Sequence, residues 1–238
     1  MNRKMDNIFV DVRNAFRLLN RYQKRVLDIV NYIKEQTPFT RMTGQKWYSN
    51  PIKKTKQNDY AKLNVCPNMW GWDFLYGYIF EYYFDYIEKA DKGIKMSIFQ
   101  ISDDGFFISK ASNKHMTDIE SFASADKSHS YLVLNVTIKN AGKDTELWLA
   151  DTPYPASTPC EEKESAWKDF LTRFLSSSRP DEIIKGPNGE TTILKKYEMQ
   201  RFATQQSADD AIRDFARMIK EQTGVSLFKE GFTFKRKI

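Results

Sequence analysis

Residues 70–87 read WGWDFLYGYIFEYYFDYI, with an aromatic ring at every even position from Trp70 to Tyr86 and a tenth ring at Tyr83. A period of two is typical of a strand, but 18 residues far exceed the usual strand length of about five or six. On a helical wheel, the acidic residues and a glycine fall in one arc of about 120°. These residues are Asp73, Gly77, Glu81, Asp85 and Glu88. We therefore predict a central core helix over residues 72–91, ending before Gly93. A ligand pocket and a base-stacking platform are the alternatives, while the acids disfavour a membrane span.

A second long helix is predicted over residues 6–36 from an apolar repeat of seven. The repeat consists of Val12, Leu19, Val26 and Ile33, with Ile8, Ala15, Tyr22 and Ile29 between them. Thr37-Pro38 ends the helix, because proline disfavours a helical residue before it. The stripe either packs inside its own domain, which we favour because Phe16 and Val30 widen it, or forms a homodimer through residues 8–33.

The rest of the chain predicts an α+β fold with a mainly antiparallel sheet of hairpins. Hairpins are expected across 102–105, 140–144 and 187–189, and a capping box at 158–161 begins a helix that buries Trp167, Phe170, Leu171, Phe174 and Leu175. A last helix runs from Ser207 to just before Gly224, and a strand over 226–238 closes the chain. We expect a helical region with a basic loop at 1–92 and a sheet region at 93–238, joined in one continuous unit.

Composition and charge narrow the classes of function. Two cysteines, Cys66 and Cys160, lie too far apart in sequence for a disulfide or zinc framework, and the charged opening MNRKMDNIF favours a cytoplasmic protein without a transmembrane segment. Residues 1–62 hold 14 Lys and Arg against 5 Asp and Glu, whereas the whole chain has a net charge of +6. Such asymmetry favours an anionic partner for the basic part.

Signatures of catalysis are lacking, so we predict no catalytic residue, no metal and no cofactor. A magnesium-dependent nuclease needs carboxylates on its strands, but Asn135 and Thr137 precede Lys139 here. The segment with His115, Asp118, Glu120, Asp126 and His129 matches no known ligand spacing and is interpreted as a loop. Glu81 and Asp85 could form an acid/base pair if the aromatic segment were a helix, which leaves a small enzyme with a pocket beside that helix as an alternative.

The strongest candidate surface is the basic row, defined as Arg13, Arg17, Arg21 and Lys24, which lies opposite the apolar stripe. The following segment, interpreted as a long loop, mixes cations with rings that could stack on bases. Its candidate residues are Lys46, Trp47, Tyr48, Lys53, Lys54 and Lys56. We therefore predict a non-catalytic protein that binds RNA or DNA without sequence specificity. The alternatives are a solvated face, a row paired with Glu81, Asp85 and Glu88, a protein-interaction module using the apolar stripe, and an anionic membrane surface as the partner.

Overall fold

The computed structural model describes residues 2–47, 79–105, 120, 122–141, 170, 172–186 and 189–229. Besides a short helical stretch at residues 172–176, this part of the chain forms two long helices and six strands. They are α1 (Asn2–Glu35), β1 (Met42–Trp47), β2 (Ile79–Lys89), β3 (Lys92–Ile101), β4 (Tyr131–Asn140), β5 (Asp181–Lys185), β6 (Thr191–Glu198) and α2 (Gln205–Thr223), with a 3₁₀ helix at Met199–Phe202. The strands form one antiparallel sheet in the order β1-β2-β3-β4-β6-β5. The predicted α+β class is confirmed.

Helix α1 forms and ends as predicted. Gln36 N donates to Tyr32 O at 3.2 Å, and Thr37 Oγ1 donates to Lys34 O at 2.8 Å, so the last turn closes just before Pro38. The second half of the apolar stripe is buried, with Val26, Ile29 and Ile33 at most 1% exposed. The first half is not, because every residue from 7 to 21 is exposed. We call residues 7–21 the projecting segment.

The predicted aromatic helix is wrong, because residues 79–89 form strand β2. This strand is paired on both edges, with Tyr82 opposite Gly44 of β1 and Ile98 of β3. Phe80, Tyr82 and Phe84 therefore lie on one face of the sheet, the face that α1 and α2 cover, as the period of two in the sequence indicates. A register shift between Phe84 and Ile87 interrupts the alternation. Residues 72–78 of the predicted helix lie outside the described residues.

Strand β1 replaces part of the predicted long loop, so that prediction is wrong for residues 42–47. Gly44 permits the pairing with β2, because a Cβ atom at this position would lie 2.5 Å from Phe80 Cε1. The turn between β2 and β3 consists of Ala90 and Asp91, whose φ angles are 50° and 58°. Two positive φ angles are characteristic of the type I′ turns that join strands tightly.

Two of the three predicted hairpins are wrong. Both edges of β3 are paired, with β2 and β4, so no hairpin partner can follow it across 102–105. Strand β4 is likewise paired with β3 and β6, which excludes the hairpin across 140–144. The third hairpin is confirmed: β5 pairs with β6, Gly186 N donates to Glu190 O at 2.8 Å, and Gly189 has φ 81°.

The two faces of the sheet are covered by different helices. The larger core joins Val26 and Ile33 of α1 to Ile98 and Leu134 of the sheet and Phe215 of α2. The smaller core lies on the other face and includes Ile79, Phe99, Val133, Phe170 and Phe174. Residues 170 and 172–176 are helical, and Phe170, Phe174 and Leu175 are buried as predicted, whereas Trp167 and Leu171 lie outside the described residues.

Helix α2 ends before Gly224 as predicted, but it begins at Gln205, two residues before the predicted start at Ser207. Thr204 Oγ1 accepts from Ser207 N at 3.2 Å at the start, and Gly224 with φ 75° ends the helix. The closing strand is not found over residues 226–229, where Leu227 and Phe228 are buried and Lys229 N donates to Gln36 O at 2.8 Å. Residues 230–238 lie outside the description. The division expected at 92/93 falls after the first residue of β3, within the hairpin that β2 and β3 form.

Candidate functional site

The basic row lies on α1, partly on the projecting segment, and all four of its side chains are exposed. Among the described residues, the structure records no ion pair for any member of the row. Other cations are engaged: Lys195 Nζ lies 2.7 Å from Asp214 Oδ2, and Arg217 Nη2 lies 2.8 Å from Asp214 Oδ1. The row therefore keeps its charge available to an external anion.

Arg25 continues the spacing of four from Arg13, Arg17 and Arg21. We call these four arginines the ridge, and Arg25 anchors it to the body of the protein. It is half-buried, and its Nη2 donates to the carbonyl oxygen of Phe202 at 2.6 Å. Successive residues of the ridge are about 6 Å apart along the helix axis, because each residue rises 1.5 Å. The ridge thus leads from the projecting segment to the point where α1 meets the 3₁₀ helix.

A cavity of about 460 Å³ opens beside Arg25. Its walls come from α1, from the residues before β4 and from the 3₁₀ helix after β6. The polar wall residues include Tyr22, Arg25, His129, Ser130, Glu198 and Gln200. Val26, Ile29, Met199 and Phe202 provide an apolar floor. The combination of an apolar floor and a few convergent polar groups is typical of small-ligand sites.

A polar network lies under this part of α1. Gln23 Nε2 donates to Tyr82 Oη at 2.7 Å, Tyr82 Oη donates to Gln100 Oε1 at 2.8 Å, and Gln100 Nε2 donates to Gln23 Oε1 at 3.1 Å. The buried Oη of Tyr22 adjoins the same network. Burial raises the pKa of Tyr22, and hydrogen bonding with the side chains of Ser102 and Gln100 opposes the shift.

Asp104 holds the cavity's His129 wall in place. The carboxylate is 2% exposed, accepts from His129 N at 2.6 Å, and its Oδ2 lies 3.9 Å from His129 Nδ1. Burial raises the pKa of Asp104, although the hydrogen bond from the His129 amide opposes the shift. Ser130 Oγ donates to Ser102 O at 2.7 Å, so the start of β4 is tied to the end of β3.

Lys196 stabilises the neighbouring helix end. Its Nζ donates to Ser177 O at 2.6 Å and to Phe174 O at 3.3 Å, and burial lowers the pKa of Lys196. These bonds satisfy carbonyl groups at a helix C-terminus, which is where a cation is favourable. Asp104 and Lys196 therefore shape the end of the sheet, and we assign neither of them a chemical step.

The other predicted site residues are not all brought to the row. Lys46 and Trp47 lie on the edge strand β1, where Lys46 is half-buried opposite Phe80 rather than on a solvated loop. Tyr48, Lys53, Lys54 and Lys56 lie outside the described residues. Of the predicted surface, the structure therefore describes the residues on α1 and the start of the following segment, and it does not describe the lysines at 53–56.

The alternatives that depended on an aromatic helix fail. Glu81 and Asp85 lie four residues apart on strand β2, which places their Cα atoms about 13 Å apart, too far for an acid/base pair. Glu81 is 7% exposed, and no ion pair within the described ranges joins it, Asp85 or Glu88 to the basic row. Within the same ranges, no three His, Cys, Asp or Glu side chains lie close enough together to hold a metal ion. His115 and Asp118 fall outside these ranges.

Sequence reasoning missed the cavity. Tyr22 belongs to the apolar stripe, and no sequence pattern joins it to Ser130, Glu198 and Gln200, because their segments are adjacent only in the folded protein. Asp104 lies in the turn predicted across 102–105, but nothing in its sequence context indicates that its carboxylate fixes His129.

The fold and this surface define an α+β protein with a projecting basic helix and an adjoining cavity. The chain belongs to the PM0109 family, whose family model matches residues 2–224. No curated protein and no solved structure matches the chain. In the part of the chain that the structure describes, neither helix combines the length and apolar character needed to cross a membrane.

Proposed function

We propose that this protein binds nucleic acid without sequence specificity through the basic row of α1. The observation that carries the proposal is that Arg13, Arg17, Arg21 and Lys24 are all exposed on one side of a helix that projects from its domain. Lysine and arginine side chains in such a row neutralise phosphates irrespective of base sequence. The surrounding charge supports the proposal, since residues 1–62 have a net charge of +9 and the rest of the chain has one of −3, which together give the +6 of the whole chain.

The shape of α1 also supports a polyanion as the partner. The projecting segment is exposed on all sides, so a nucleic acid can approach the row without displacing any element that the structure describes. A helix of this kind can lie along a groove or a single strand, and phosphate contacts would fix its position. The row is assigned to phosphate contacts alone.

The test is fluorescence anisotropy with generic single- and double-stranded oligonucleotides at about 50 and 200 mM salt, a range over which phosphate contacts weaken steeply. We expect binding at the lower concentration that is lost when Arg13, Arg17, Arg21 and Lys24 are all changed to Glu. The matched control reverses four exposed cations elsewhere, Lys127, Arg173, Arg179 and Lys220. Equal losses in both variants would show a response to net charge alone and would contradict the assignment to α1.

A second candidate is self-association through the first half of the apolar stripe. Ile8, Val12 and Leu19 are 56%, 44% and 50% exposed, and they continue the seven-residue repeat whose second half is buried. Monomeric proteins seldom expose a contiguous apolar stripe, and a heptad seam is complementary to its own copy. The homodimer predicted through residues 8–33 is therefore limited to the projecting segment, because Val26 and Ile33 are occupied by their own domain.

A further inference from the structure

The ridge of arginines ends at the cavity. Arg13, Arg17, Arg21 and Arg25 recur every four residues, and Arg25 is the member that lines the cavity wall. Residues four apart are neighbours on a helix surface, so the ridge is continuous. Tyr22 lies two turns from Ile29 on the same side of α1 and lines the cavity as well. A strand whose phosphates follow the ridge would therefore reach the mouth of the cavity.

The chemistry of the walls fits a planar, uncharged group with hydrogen-bonding edges. Tyr22 and His129 contribute rings, Glu198 contributes a carboxylate acceptor, and Gln200 contributes an amide that both donates and accepts. The apolar floor favours a flat apolar face over a charged one. Proteins that recognise single strands hold unstacked bases in this way, on aromatic rings and arginine planes with hydrogen bonds to the base edge.

We propose that the cavity holds one nucleobase of a single strand whose phosphates lie on the arginine ridge. This proposal rests on the proposed function, which it extends from charge to the selection of unpaired nucleic acid. A base held in a duplex cannot enter the cavity without leaving its stack. A free nucleotide offers the same chemistry, and the experiment separates the two sources.

The experiment uses a cavity-filling variant of the whole chain. Ala203 is exposed and lines the cavity, so Ala203→Phe occupies the space without disturbing the buried core. The matched control is Glu221→Phe, an aromatic substitution at an exposed position of α2. Binding is measured by anisotropy, and the fluorescence of a single 2-aminopurine in the oligonucleotide reports whether a base leaves the stack.

We expect Ala203→Phe to weaken single-strand binding about tenfold, as the loss of one stacked base does. The 2-aminopurine signal should disappear, while duplex binding and the salt dependence stay unchanged, and Glu221→Phe should behave as the natural protein. A mononucleotide that competes only for the natural protein would confirm that the cavity recognises a base. If it binds while the 2-aminopurine signal never changes, the cavity serves free nucleotides and the strand assignment is overturned.

The two proposals fail in different ways. If reversal of the basic row abolishes binding while Ala203→Phe has no effect, the row stands and the base cavity is overturned. If Ala203→Phe weakens binding and reversal of the row does not, the cavity holds a base but its strand does not follow the ridge, and the row is overturned as the phosphate site. If the natural protein binds neither oligonucleotides at low salt nor mononucleotides, both proposals are wrong.

Discussion

Neutralising the basic row one residue at a time should lower the salt dependence of nucleic-acid binding in steps. The logarithm of the binding constant falls linearly with the logarithm of salt concentration, with a slope of about −0.7 per phosphate contact for single strands and −0.9 for duplex DNA. Four contacts give slopes of about −2.8 and −3.6. Raising salt from about 50 to 200 mM should then weaken binding about 50-fold for a single strand and about 150-fold for a duplex.

The perturbation is the series Arg13→Gln, Arg17→Gln, Arg21→Gln and Lys24→Gln, made singly and in combination. Glutamine has a helix propensity similar to that of arginine and lysine, and these side chains are exposed, so the fold should be retained. Each change should reduce the single-strand slope by about 0.7, so one change leaves a loss of about 20-fold over the same salt range. The quadruple variant should show almost no salt dependence.

The assay is anisotropy titration at several salt concentrations, with thermal unfolding followed by circular dichroism as the control for folding. The control series neutralises Lys127, Arg173, Arg179 and Lys220, which lie on other elements. Slopes that stay near −2.8 through the α1 series would refute the contact count. An equal decrease in both series would show that the response comes from net charge and not from the row.

Three further substitutions test the structure around the site. Gly44→Ala should lower the free energy of unfolding by about 1–3 kcal/mol in urea titrations, because its Cβ would lie 2.5 Å from Phe80 Cε1. The control, Thr43→Ala at an exposed position of the same strand, should lower it less. Equal decreases would argue against the contact. Asp91→Gly should raise the free energy of unfolding by up to about 1 kcal/mol, because φ at Asp91 is 58°, a region that glycine adopts freely; a loss would contradict the turn geometry. Asp104→Asn keeps an acceptor for His129 N but removes a carboxylate whose pKa burial raises. A carboxyl group whose pKa is raised by folding favours the folded state only while it is protonated, so this contribution of Asp104 to stability is lost as pH rises from about 4. The variant should therefore be more stable than the natural protein at pH 7 and not at pH 3. A gain of the same size at both pH values would show another cause.

The aromatic segment shows how a correct pattern can support a wrong assignment. The rings alternate with a period of two, and strand β2 uses that period from Ile79 to Phe84. The helical interpretation came from acidic residues spaced four apart, such as Glu81 and Asp85. Four is an even number and also about one helical turn, so this spacing fits a strand face as well as a helix face. Only the pairing of β2 with β1 and β3 distinguishes the two.

Local signals located the ends of elements but not their neighbours. Pro38 and Gly224 end the helices that they were predicted to end, and the turn at 187–189 joins β5 to β6. The turn residues Asp103 and Asp104 do not join two strands of a hairpin, because β3 is already paired with β2 and β4. Sheet order depends on contacts between distant segments, such as β4 with β6, which no local pattern specifies.

For the candidate site, the sequence likewise predicts the local pattern on the helix but not the contacts between distant segments. The spacing of Arg13, Arg17 and Arg21 on one side of a helix follows from the sequence, and the structure leaves those side chains exposed. The cavity was not predictable, because its walls join residues near 22–29, 128–130 and 198–203. A helix periodicity also cannot show where a domain ends, so the exposure of Ile8 and Leu19 emerged only from the structure.

The two faces of the projecting segment suggest how self-association and nucleic-acid binding would combine. At 100° per residue, Val12 and Leu19 lie on the side of α1 opposite Arg13 and Arg17, so pairing two copies through the apolar stripe would leave both basic rows outside. A dimer would then carry two rows on one body, and linked sites gain affinity without new contacts.

Leu19→Asp should therefore separate the two activities. The Leu19 side chain is 50% exposed, so the substitution should leave the fold intact. The new charge lies in the apolar stripe and should therefore dissociate the dimer. Sedimentation equilibrium should show a dimer for the natural protein and a monomer for the variant. Long single strands should bind the variant at least tenfold more weakly, whereas short ones that span one row should bind both proteins equally and with the same salt slope. A natural protein that stays monomeric at high concentration would contradict the seam, and the row would then act in single copies.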